Sequence, residues 1–169
     1  MAILNPSYAE LIGEYYPTIE VTISGPDYTD ITWETGGTIT QIDLDNMRTV
    51  AMQTERIIEL SESAKLDIVN GFTSSALGTQ HWYDSNLEDQ LNLIGATAST
   101  IDVLFGVRET EFGPKLYKNH THVELLNVLS DGKNVKLFVL QKFNNKRDVI
   151  LLATTEAEID AITWDSVES

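Results

Sequence analysis

The chain has 169 residues, 42% of them hydrophobic and 22% charged, which suits one compact domain with an appended segment and excludes wholesale disorder. Twenty-six acidic residues against 11 basic ones give a formal net charge of -15. Such a field repels phosphate backbones and anionic bilayers, so neither nucleic acid nor membrane is an expected partner. The absence of cysteine removes disulfides, thiolate metal sites and cysteine nucleophiles, and fits assembly in a reducing cytosol.

The first residues show no basic region followed by an apolar run, and no stretch approaches the roughly 18 apolar residues of a membrane span. A soluble protein without an export signal is expected. Residues 1–40 read as an acidic, β-rich docking arm. They hold Pro6, Pro17 and Pro26, and Glu10, Glu14, Glu20, Asp27, Asp30, Glu34, Asp43 and Asp45 all precede Arg48, the first basic residue. Ile19, Val21 and Ile23 alternate with polar residues, the period of a half-buried strand. A second strand is expected around Tyr28 to Glu34, closed by Gly36-Gly37. Strands this short are not stable alone, so Ile19, Val21, Ile23, Tyr28 and Trp33 are the candidate partner-binding residues. The ordinary alternative for so acidic a run is a solvated surface.

A second domain is expected over residues 41–169. From Asp43 to Asn70 there is no proline or glycine, and the helix formers predict one long helix, with Asp43 as cap and Asn70-Gly71 as stop. Phe72-Thr73-Ser74-Ser75-Ala76-Leu77 and Gln80-His81-Trp82-Tyr83 flank a Gly78-Thr79 turn and predict a hairpin. Ser85-Asn86-Leu87-Glu88 has the spacing of a capping box. Leu87, Leu91, Ile94, Ala98, Ile101 and Phe105 follow at helical spacing, a stripe expected to pack against the first helix, with an oligomer seam as the alternative. Residues 106–118 read as a loop. A third helical region begins near Thr121, is expected to break at Asp131-Gly132, and resumes with the one basic patch, Lys133, Lys136, Lys142, Lys146 and Arg147. Thr155-Glu156-Ala157-Glu158 is another capping box, opening a short last helix over Ile159 and Ile162 that extends toward Trp164. The expected fold class is α+β, mainly helical: a β-rich amino-terminal arm, a long helix, a β-hairpin, then a small helical bundle.

No Gly-x-Ser-x-Gly, phosphate-loop or dinucleotide motif occurs, so no catalytic residue and no cofactor is expected. His120-Thr121-His122 is the one arrangement with ligand character, because alternate residues of a strand point the same way. The plainer reading places both histidines beside the basic cluster with no metal. Trp82 and Tyr83, with Trp33, could stack on sugar, although aromatics in a small domain ordinarily serve its core.

The stretch from Gly71-Phe72 through Leu77-Gly78, Tyr83-Asp84-Ser85 and Asp89-Gln90-Leu91-Asn92-Leu93 to Ala96 resembles a domain of unknown function that recurs in tail-fibre, baseplate and fibre-assembly proteins of tailed bacteriophages. Leu152-Ala153-Thr154-Thr155 and Ile159-Asp160-Ala161-Ile162-Thr163-Trp164 are similar to that family's closing segment, and residues 44–70 to its lead-in. The likeness covers about residues 44–165, and the loop with Phe112-Gly113-Pro114 departs from it. Phe72, Leu77, Gly78, Trp82, Tyr83, Ser85, Glu88, Leu91 and Trp164 are the residues expected to determine the fold. The resemblance implies a non-enzymatic virion structural protein. Its expected role is as a homo-oligomeric adaptor at the baseplate or tail-fibre attachment, assembled in the host cytoplasm. Its implied partners are other tail or baseplate proteins and copies of itself. A tail-fibre assembly chaperone and a receptor module for host-surface glycan are the alternatives it leaves.

Overall fold

The computed structural model describes residues 5–166 and has a mixed α+β fold. In chain order the elements are α1 (Tyr8–Tyr15), β1 (Glu20–Ile23), β2 (Ile31–Thr35), α2 (Gln41–Asn70), β3 (Phe72–Ser74), β4 (His81–Tyr83), α3 (Leu87–Thr97), β5 (Val103–Val107), β6 (Leu116–His120), α4 (His122–Leu152) and α5 (Glu156–Ala161). The chain separates into two compact units, one comprising residues up to Leu60 together with those from Asn145, the other Ser61–Asn144. This division differs from the expected arm at 1–40 and domain at 41–169.

In the first unit the expected arm is not a bare pair of strands. β1 and β2 do form an antiparallel hairpin, with Val21 opposite Trp33 and Ile23 opposite Ile31. It is joined by α1, a helix not foreseen. Its start is a capping box in which the Ser7 hydroxyl accepts from the Glu10 amide and the Glu10 carboxylate accepts from the Ser7 amide. Tyr8, Leu11 and Ile12 then fall on one face and are buried with Ile31, Ile39 and Leu44 of α2. Ile19, Val21, Ile23, Tyr28 and Trp33 pack half-buried against this cluster. The five side chains singled out for a partner are thus engaged by their own unit, because α1 and the start of α2 supply the cover that two strands lack. The Tyr8 hydroxyl donates to Asp45 at 2.6 Å while the Arg48 guanidinium lies 4.1 Å above its ring.

The carboxyl-terminal part of this unit closes on the middle of α2. Met52 is buried with Ala153 and Ile159, and the Gln53 amide donates to the carbonyls of Ile150, in the last turn of α4, and Ala153, just past it. The capping box at Thr155 and Glu158 is present and opens α5. Trp164 is half-buried.

The second unit is built on two hairpins. In one, β3 pairs with β4, Phe72 opposite Tyr83; in the other, β5 pairs with β6, Val107 opposite Leu116. Trp82 and Arg108 exchange both backbone hydrogen bonds at 2.9 Å and join them. The region expected as a loop at 106–118 therefore holds the end of one strand and the start of the next. Phe72, Tyr83, Leu93, Val107, Leu125 and Val128 form the core.

α4 runs unbroken through Asp131-Gly132. Both residues that read as a stop signal serve the hairpin. Asp131 accepts from the Ser74 hydroxyl at 2.6 Å, and a Cβ on Gly132 would come within 2.8 Å of the Phe72 ring. Gly71 ends α2 as foreseen, at φ +137°, where a side chain would run into the indole of Trp82.

Candidate functional site

The polar side chains of the second unit gather on β4 and β6. His120 ends β6 with no exposed surface, and its Nδ1 lies 2.9 Å from the Lys118 carbonyl. A carbonyl only accepts, so Nδ1 carries the proton and Nε2 accepts from the Tyr83 hydroxyl at 2.9 Å. Burial pushes the Tyr83 phenol up to about 12, reinforced by the nearby carboxylates of Glu124 and Asp131. His81, 3% exposed, repeats the pattern: Nδ1 donates to the Thr79 carbonyl at 2.8 Å, leaving Nε2 to accept from Lys118 at 2.7 Å, and Lys118 also pairs with Glu109 at 2.5 Å. Both ring nitrogens of each imidazole are thereby occupied.

His120 and His122 do not share a strand. Thr121 caps α4, with its hydroxyl accepting from the Glu124 amide, and His122 is the first helical residue. The extended backbone on which alternate residues face one way ends at His120. Among the described residues no group of three or more histidine, aspartate or glutamate side chains is placed to hold a metal ion.

Asp84, just beyond β4, is gripped by the Arg108 guanidinium through two bonds of 2.8 and 3.0 Å and lies 3.2 Å from Lys115, which reaches Asp89 at 2.7 Å. Burial alone would raise the Asp84 carboxyl, but the bonds from Arg108 and Lys115 outweigh it and hold it below the usual carboxylate range. The network ties the start of α3 to the loop between β5 and β6. Its charges are spent on one another.

The fold-determining candidates divide. Phe72 and Tyr83 are buried and stacked, with centroids 5.8 Å apart. Ser85 is buried, Gly78 sits at φ +86° in the turn, and Leu77 and Trp82 are half-buried. The expected box at Ser85 and Glu88 is displaced by one residue. Asn86 is the cap, its side chain accepting from the Asp89 amide at 2.9 Å, and Glu88 is exposed.

The stripe on α3 is the largest departure. Leu87, Leu91 and Ile94 are 72%, 61% and 55% exposed, while Leu93 faces the core. The stripe does not continue as helix. α3 ends at Thr97, the Ser99 hydroxyl bonds the backbone of Ile101, and Phe105 lies on β5 against the core. Leu91 is thus a surface residue and not a determinant of packing.

Beside this stripe opens an apolar cleft of about 200 Å³. Its walls include Ile68, Phe72, Leu93, Ile94, Leu129 and Val135, so Ile94 belongs to both stripe and cleft. Lys133 and Lys136 also line it, from two exposed positions one helical turn apart on α4. The rest of the expected basic patch behaves differently. Lys146 is 4% exposed and donates to the backbone and hydroxyl of Ser166, and Arg147 pairs with Asp148. The sequence revealed the patch but not which of its cations are free, since burial of Lys146 depends on residues twenty positions away.

Stripe and cleft together offer an apolar surface with cations beside it, an arrangement suited to binding. No helix among the described residues is long and apolar enough to cross a membrane. No family model matches the chain, and no curated protein or solved structure does.

Proposed function

We propose that the protein is a non-enzymatic binding component of a tailed-phage virion, placed at the baseplate or fibre attachment and acting through protein–protein contact by its second unit. The observation that carries the binding half of this reading is the exposed row Leu87, Leu91 and Ile94 opening into the apolar cleft. Three large aliphatic side chains on one helical face keep more than half of their surface in water. Covering them releases about 25 cal/mol per Å² of apolar surface. The tail setting rests on the likeness of residues 71–96 and 152–164 to the phage family. The contact surface moves from the amino-terminal segment to α3, since Ile19, Val21, Ile23, Tyr28 and Trp33 are packed on their own core. Mass spectrometry of purified particles tests the reading. The chain is expected in mature particles at a fixed ratio to known tail proteins. Presence in infected cells with absence from particles overturns it in favour of an assembly chaperone.

A further inference from the structure

We infer that the cleft beside α3 receives an acidic amphipathic helix from a partner protein, its apolar side chains entering the cleft and its carboxylates meeting Lys133 and Lys136. The inference rests on the binding reading of the same surface and names the chemistry of the partner.

The chain has 11 lysines and arginines among 26 carboxylates, and nearly all are engaged. Arg48 donates to the Pro6 carbonyl; Arg56, Lys65, Arg108, Lys115, Lys118 and Arg147 pair with carboxylates; Lys146 holds Ser166; and Lys142 has an interaction of its own. Lys133 and Lys136 alone have no hydrogen bond or ion pair among the described residues. Both line the same apolar cleft. In so acidic a molecule, two unpaired cations beside exposed aliphatic surface form a site complementary to an anionic, partly apolar ligand.

Length decides between a small amphiphile and a helix. The row from Ile94 through Leu91 to Leu87 carries the apolar surface about 10 Å along α3, at about 1.5 Å per residue, well past the cleft itself. A groove with anchors at such spacing is how a helix is received. Net charge argues against a second copy, since two chains of -15 repel each other.

The test is selection of a displayed library of random helical peptides on the full chain, with counter-selection on the double variant Lys133→Glu/Lys136→Glu. Enrichment of aspartate and glutamate beside leucine, isoleucine or phenylalanine three and four residues apart is expected. The selected peptides should bind at least about tenfold more weakly to the double variant and to Leu91→Asp. All three altered side chains are exposed, and unchanged circular dichroism melts confirm folding. Enrichment of basic peptides, no enrichment, or binders indifferent to both variants overturns the inference. So does saturable binding of decanoate in place of any peptide, or a dimer by light scattering that the double variant dissociates. A chain present in particles that selects no acidic helix would sink this inference while leaving the virion reading intact.

Discussion

Gly132 lies inside α4, where alanine ordinarily improves a helix by about 1 kcal/mol. Here the ring of Phe72, stacked on Tyr83, occupies the place of its Cβ. Overpacking of that kind costs about 1–3 kcal/mol, so Gly132→Ala should destabilise the protein. Gly95 in α3 has open space around it, and Gly95→Ala should stabilise by up to about 1 kcal/mol. Urea denaturation of the two variants checks the opposite signs; equal signs would mean that Phe72 yields freely. Tyr83 gives a second prediction. Its raised value means folding favours the neutral phenol, a contribution present below the ordinary value of 10.0 and lost as pH rises through about 12. Tyr83→Phe keeps the ring but leaves the buried Nε2 of His120 without its donor, at a cost of about 1–3 kcal/mol near neutrality. The variant should also lose stability less steeply than the parent between pH 10 and 12, as denaturation at several alkaline pH values will show. The tautomer could not be read from sequence, since Tyr83 and His120 lie on separate hairpins.

Helix starts are where the sequence was most informative and also where it misled. Ser7 with Glu10, Thr40 with Asp43, Thr121 with Glu124 and Thr155 with Glu158 share one spacing, and in each the hydroxyl accepts from the amide three residues on. α2 was legible from its lack of breakers and the last helix from its capping box, but Thr40 takes the cap expected of Asp43, and α4 read as broken at Asp131-Gly132. α1 was not legible, because three prolines and an alternating run gave residues 1–40 a strand-like character that outweighed an eight-residue helix. The same spacing at Ser85 and Glu88 was a false signal: Asn86, a cap as good as serine, takes the position one residue on, and Ser85 is buried. Asn86→Ala should therefore cost about 1 kcal/mol and Glu88→Ala almost nothing, measured by thermal melts. A larger loss at Glu88 would restore the earlier register. The stripe on α3 was legible as a pattern but not as a surface. Periodicity says which residues share a face, and only the fold says whether anything covers it.

At the scale of the whole chain, charge is the property the sequence stated most plainly. Raising salt from about 10 mM to about 150 mM shortens the screening length from about 30 Å to about 8 Å, which relieves self-repulsion among 26 carboxylates. The melting temperature should rise over that range. A flat or falling response would mean that local pairs such as Asp84 with Arg108 dominate. The division into units was not legible, because it depends on contacts such as those of Gln53 with Ile150 and Ala153, about a hundred positions apart. That separation bears on synthesis. At about 5–20 residues per second, Gln53 waits roughly 5–20 s on the ribosome for the carbonyl of Ala153. Ser61–Asn144 is continuous in sequence and needs nothing later to close its core. Translation thus delivers the complete segment bearing α3 and its cleft while the other unit still lacks its last helix, so a partner waiting at the ribosome would meet the binding surface first.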